Sequence, residues 1–120
     1  MTKITYTVIA LLFISGCSSS PHEKVENELT DFYIQNGIYE DPYCRARDIN
    51  NSAYVLCTPR SADESYIGGM YQVEYSKDGA YKIYSINGKA ATHIEGNTIA
   101  TERHGNEINI DISESIKLFN

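Results

Sequence analysis

Tyr43-Cys44-Arg45-Ala46-Arg47-Asp48-Ile49-Asn50-Asn51-Ser52-Ala53-Tyr54-Val55-Leu56-Cys57-Thr58 reads as two strands folded about one turn. Asparagine tolerates positive φ, so Asn50-Asn51 suits both central positions of a type I′ hairpin turn. A two-residue turn there pairs Ile49 with Ser52 and, counting outward, Cys44 with Cys57. Alternation from a hydrogen-bonded Ile49/Ser52 pair makes Cys44/Cys57 a non-hydrogen-bonded pair, whose Cα atoms lie about 4.5 Å apart, within reach of a disulfide. The other face of the same hairpin collects Tyr43, Arg45, Arg47, Tyr54 and Leu56. That arginine and tyrosine mixture is a candidate interaction surface, because both residue types are enriched where proteins bind one another. Burial of Tyr54 and Leu56 as core is the competing expectation.

Upstream of the hairpin, Val25, Leu29, Phe32 and Tyr33 recur at helical spacing, with Glu23, Glu26, Glu28 and Asp31 on the solvent side. Ser20-Pro21-His22-Glu23 reads as the helix start, with Ser20 as N-cap, and Asn36-Gly37 as its end. Downstream, Thr58 to Gly69 is polar and turn-rich. Met70 to Lys77 then alternates through Tyr71, Val73 and Tyr75. Reading Asp78-Gly79 as a two-residue turn sets Tyr84 against Val73 and Ile86 against Tyr71. Asn87-Gly88, Gly96-Asn97 and Gly105-Asn106 look like further turns, separating strands at Lys89 to Glu95, Thr98 to Arg103 and Glu107 to Ile112. Ser113 to Asn120 reads as a short helical turn or a frayed end. The expected fold is α+β: one N-terminal amphipathic helix packed on an antiparallel β-meander that includes a disulfide-closed hairpin. A closed or strongly curled sheet is the alternative.

The 120 residues suit a single domain, and the formal net charge of −6 argues against nucleic acid as a partner. The beginning of the chain has a different character. Lys3 is followed by an apolar run from Ile4 to Ile14 that is too short to span a bilayer, then by Ser15-Gly16-Cys17-Ser18. Ile14-Ser15-Gly16-Cys17 resembles the bacterial lipobox. The resemblance implies diacylglyceryl transfer to the Cys17 thiol, cleavage of residues 1–16, and acylation of the new amine. It also implies that Ser18, which is not aspartate, directs a Gram-negative member of the class to the outer membrane. Residues 17–20 would then be a lipidated cysteine and short tether reaching about 10 Å, and residues 21–120 the domain. Use of Cys17 for lipid accounts for the odd cysteine among three and leaves Cys44 and Cys57 to each other.

For chemistry, His93, Glu95, Glu102 and His104 are the best candidates for a catalytic or metal group, if Gly96-Asn97 joins their segments as one hairpin. His104 then stands about 13 Å along its strand from the position facing His93, too far for shared ligation. No catalytic set, metal or cofactor is therefore expected. The expected role is a non-enzymatic interaction or accessory module, held at the cell envelope by its lipid and facing another envelope protein. An inhibitor or immunity protein against a cationic periplasmic hydrolase, and a small enzyme or ligand carrier, are the alternatives.

Overall fold

The computed structural model describes residues 21–120, apart from the side chain of Asn106. The lipobox-like segment, with Cys17, Ser18 and Ser20, lies outside the described residues. Helix α1 spans Glu23–Gln35 and buries Val25, Leu29, Phe32 and Tyr33. Its first turn carries Glu23 and Glu26, which favour the positive end of the helix dipole. The start expected at Ser20 and Pro21 is corrected: His22 is the N-cap, and it makes no side-chain capping bond. Its ring is committed elsewhere, with Nδ1 2.9 Å from the Tyr75 hydroxyl and Nε2 3.1 Å from Asp48 Oδ1. At the other end, the Ile38 amide donates to Tyr33 O and the Gly37 amide to Ile34 O, the bond pair of a Schellman ending.

Strands β1 (Pro42–Ile49) and β2 (Ser52–Pro59) form the expected hairpin. Asn50 and Asn51 take φ of 51° and 69°. Every pair from Ile49/Ser52 outward keeps the register of a two-residue turn. Cys44 faces Cys57, and a disulfide joins them across Cα atoms 4.0 Å apart. The outer edge of β1 is blunted by side chains rather than left as a template for another strand. The Ala46 amide donates to Glu26 Oε2 at 2.8 Å, and the Arg47 guanidinium donates to Ala46 O at 2.8 Å.

Strands β3 (Gly69–Tyr75) and β4 (Tyr81–Ser85) continue the sheet in a different register from the expected one. Val73 faces Ile83 and Tyr71 faces Ser85, not Tyr84 and Ile86. The turn holds three residues, Lys77, Asp78 and Gly79, inside a Ser76 amide to Ala80 carbonyl bond of 2.8 Å. The Asp78 carboxylate accepts from both the Ser76 hydroxyl and the Ala80 amide. Gly79 closes the loop at φ 91°, where a Cβ would be strained. One added turn residue slips the pairing by one and sends each β4 side chain to the other face.

Lys89 to Glu95 is not a strand. Asn87 acts as a helix cap, its Oδ1 accepting from the amides of Ala90 and Met70 and its Nδ2 donating to Gly68 O. Helix α2 (Gly88–His93) follows, built on the helix formers Ala90 and Ala91. Because α2 carries the chain across the sheet, the next strand returns parallel. β5 (Thr101–Glu102) pairs with β4 in that sense, and only briefly. Ile108, Ile110 and Ile112 alternate in exposure but form no strand. A 3₁₀ turn at Gly105–Glu107 leads into irregular chain, and helix α3 (Ile112–Ile116) with a 3₁₀ turn at Lys117–Phe119 ends the described residues.

The result is an α+β fold on an open five-stranded sheet of order β1-β2-β3-β4-β5, mostly antiparallel. Both faces are covered. On one, α1 and α2 enclose the disulfide with Ala46, Val55, Tyr71, Val73 and Ile83. On the other, Tyr54, Leu56, Met70 and Ile86 pack against Ile116 and Phe119, with Ile108, Ile110 and Ile112 at the margin.

Two outcomes follow from the hairpin. Asn51→Val forces a β-branched residue to positive φ and should lower stability by about 1–2 kcal/mol, whereas Asn51→Gly should be tolerated. Reduction of the disulfide, which closes a loop between residues 13 apart in sequence, should lower it by about 3 kcal/mol. Urea unfolding with and without reductant measures both.

Candidate functional site: an arginine and tyrosine groove

Tyr43, Arg45 and Arg47 leave β1 on the face away from α1, at the two-residue spacing that keeps side chains on one side of a strand. The 60–68 loop brings Arg60, Asp63 and Tyr66 beside them, and the last turn brings Phe119 and Asn120. Together these residues line a groove of about 340 Å³. Three of the four arginines in the chain meet here, on a protein whose net charge is −6.

Arg45 is the most deeply placed, only 7% exposed. Four of its five N–H groups are directed at neutral oxygens. Nε donates to Phe119 O at 3.2 Å, and one terminal nitrogen donates to Tyr43 O and Thr58 Oγ1, both at 3.0 Å. The other terminal nitrogen makes a long 3.4 Å bond to Asn120 Oδ1. Among the described residues no carboxylate pairs with Arg45. Burial pushes its pKa below the usual value; the Tyr43 hydroxyl opposes this, and the charges of Arg47 and Arg60 add to it.

The guanidinium carbons of Arg45 and Arg60 lie 4.3 and 4.6 Å from the centroid of the Tyr43 ring, a favourable cation–π distance. Tyr43 itself is 39% exposed. Arg60 meets Asp41 at 3.4 Å in a solvated pair. Arg47 is exposed and has no ion pair among the described residues.

The expected interaction surface is therefore divided. Tyr43 and Arg47 are accessible, while Arg45 is a buried tie between β1 and the last turn. Tyr54 is removed from the surface altogether: it is 1% exposed, and its hydroxyl accepts a 3.4 Å bond from Gln72 Nε2. Arg60 and Tyr66 complete the groove without any signal in the sequence, because a loop of irregular path decides where they fall.

The other candidate group does not assemble. With α2 in place of a strand, His93, Glu95, Glu102 and His104 share no hairpin. Glu102 and His104 form an exposed pair at 2.8 Å, and Glu95 is exposed on its own segment. Among the described residues no three His, Cys, Asp or Glu side chains stand together as metal ligands would.

His93 instead ends a buried hydrogen-bond chain. The Tyr33 hydroxyl lies 2.6 Å from that of Tyr71 and 3.0 Å from His93 Nδ1. Gly69 makes the room, since a Cβ there would collide with the Tyr33 hydroxyl. Burial drives the Tyr33 pKa far upward and that of Tyr71 up to about 12, so both hydroxyls remain protonated donors at any physiological pH. Desolvation, with a smaller effect from Lys89, holds His93 below the ordinary histidine value. The chain is compatible with a structural role, satisfying two phenols inside the core.

A pH dependence results. The unfolded chain protonates His93 near pH 6.5, before the folded chain does, so the unfolded state binds more protons in that window. Stability should fall as pH drops below about 6.5 toward the lower folded value, and His93→Gln should flatten that part of the curve. Urea midpoints of both proteins between pH 8 and pH 5 give the comparison; parallel curves would remove His93 as the source.

No family model matches the chain, and neither a curated protein nor a solved structure is significantly similar to it.

Proposed function

We propose that the chain is a lipid-anchored protein of a bacterial cell envelope, and that its folded domain is a non-enzymatic module docking another envelope protein. The anchor is Cys17, read from its resemblance to the lipobox. Two or more acyl chains make such an anchor firm, whereas one holds only marginally. A short tether is supported by contacts at the first described residues: Pro21 and His22 are tied to Tyr75, and His22 also to Asp48. A short tether from residue 17 would therefore keep the domain close to its membrane.

The observation that carries the docking role is the groove. It gathers Arg47, Arg60 and the exposed Tyr43 around the Arg45 guanidinium, with which no carboxylate pairs among the described residues. Arginine and tyrosine offer large contact area with directional donors, and they dominate binding energy at protein interfaces. A wall of two strands, closed by a disulfide, holds Tyr43 and Arg47 in place, so little ordering cost remains to be met on binding.

The experiment has two arms in cells of the source envelope type. Feeding an alkyne fatty acid should label the chain, and Cys17→Ser should abolish that label; an equally labelled variant would overturn the anchor. A photo-crosslinking residue at position 47 should give one discrete adduct with an envelope protein, and the same residue at exposed position 27 on α1 should not. Absence of the adduct at 47, or the same adduct from both positions, would overturn the docking role.

A further inference from the structure

We infer that the outer edge of β4 receives an extended peptide segment of another protein, which adds a strand to the sheet and carries an acidic residue beside Lys82. The inference goes beyond the docking role of the arginine groove, which is built on β1 at the opposite edge, and stands without it.

The direction of the main-chain groups follows from the pairing of β3 with β4. The Ser76 amide donates to Ala80 O and the Ile86 amide to Met70 O. Opposed residues of an antiparallel pair alternate between bonded and non-bonded. Ala80, Lys82, Tyr84 and Ile86 therefore turn their N–H and C=O groups toward β3, and Tyr81, Ile83 and Ser85 turn theirs away. Ser85 O accordingly accepts from the Arg103 amide at 3.0 Å. β5 covers only part of this edge. Its pairs are Tyr84/Thr101 and Ser85/Glu102, a ladder that engages the Ile83 carbonyl and both main-chain groups of Ser85. The Tyr81 N–H, the Tyr81 C=O and the Ile83 N–H have no hydrogen-bond partner among the described residues.

These groups border a cleft of about 610 Å³ lined by Tyr81 and Ile83, by Lys24 and Glu28 of α1, and by Ile99 and Ala100. Ile99 and Ala100 leave the line of β5 and pack toward the core beneath α1, so no strand of this domain runs beside Tyr81. An open row of main-chain groups is a template for another strand, and an extended backbone repeats donors and acceptors at the matching spacing. A second copy of this chain is poorly built to supply it. Its β1 edge is closed by Glu26 and Arg47, and its β4 edge lies between the same walls of α1 and residues 98–101.

Strand parity selects the side chains of the occupant. A residue beside Ile83 points to the α1 face, where Ile83 and Ile99 offer apolar contact. A residue beside Lys82 points to the other face. Lys82 is exposed and stands across from Glu74, whose carboxylate is held by Arg103 at 2.9 Å. Lys82 itself has no ion pair among the described residues. A carboxylate next to it completes an opposite-charge cross-strand pair. The segment that fits alternates apolar and acidic residues.

The full chain is held in uncharged detergent, and exchange of its amide protons is followed by NMR at a low and a high protein concentration. Three probes are added: acetyl-Thr-Val-Glu-Val-Thr-amide, its counterpart with Lys for Glu, and the Glu peptide N-methylated from Val to Val. Without peptide, the Tyr81 and Ile83 amides should exchange faster than those of Lys82 and Tyr84, which bond to β3. The Glu peptide should slow the first two saturably, by at least about tenfold relative to the second two. The N-methylated peptide, which lacks the donors, should not.

The Lys peptide should bind at least about threefold more weakly than the Glu peptide, and Lys82→Gln, at an exposed position, should remove that difference. No slowing by the Glu peptide, or equal slowing by its N-methylated form, would overturn the inference. Equal affinity for the Lys peptide, or an undiminished preference for Glu in Lys82→Gln, would do the same. Slowing of the same amides at high protein concentration without peptide would also overturn it, by naming a second copy as the occupant.

Discussion

Strand β2 has no solvated face. Ala53 to Thr58 are six consecutive buried residues, so side chains pointing in both directions must find apolar neighbours. A helix on one side satisfies only half of them. The other half, Tyr54, Leu56 and Thr58, requires a second layer, and the segment from Ile108 to Phe119 supplies it. Much of the remaining architecture follows: α1 lies over the disulfide, the last turn lies over Leu56, and β1 and β3 flank β2 on either edge.

The two faces divide the work of the hairpin. On the α1 side the pairing of strands is made permanent by a covalent bond between small residues, leaving depth for Leu29, Phe32 and Tyr33. On the opposite side Arg45 replaces a hydrophobic contact with directional bonds to Phe119 O, Thr58 and Asn120. A buried cation is costly unless its donors are satisfied, and two of the bonds of Arg45 go to Phe119 and Asn120, which gives the last turn a strong reason to stay closed. The groove and the second layer are thus one construction. Loosening Phe119 would expose the floor of the site as well as uncover the sheet.

The parts of this arrangement legible from sequence are those governed by local rules. The Val25/Leu29/Phe32/Tyr33 stripe has a helical period, and Asn50-Asn51 has the backbone freedom of one turn type, which carries the pairing of Cys44 with Cys57. Where two local rules compete, the local pattern alone does not decide the structure. Asn87-Gly88 is equally good chemistry for a hairpin turn and for a helix cap, and the contacts of Asn87 with Met70 and Gly68 decide for the cap. Asp78-Gly79 marks a turn but not its length, which the bonds from Ser76 and Ala80 to Asp78 set. The alternation of Ile108, Ile110 and Ile112 reports one-sided burial, which a chain lying on a sheet shows without any strand partner. In the site, Tyr43, Arg45 and Arg47 follow from strand parity, whereas Arg60 and Tyr66 depend on the course of a loop and leave no pattern to read.

The two-residue turn at Asn50-Asn51 also limits how this chain can vary in length. Adding or removing one residue there would carry one cysteine to the opposite face of the sheet from the other, breaking the covalent link and moving Arg45 and Arg47 beneath α1. Length changes of a single residue are therefore closed to this turn, while the 60–68 loop, which has no strand register to preserve, can absorb them. Homologous chains, on this account, would differ in the loop that supplies Arg60 and Tyr66 while keeping the hairpin at constant length. Ligand preference could then diverge on a fixed frame.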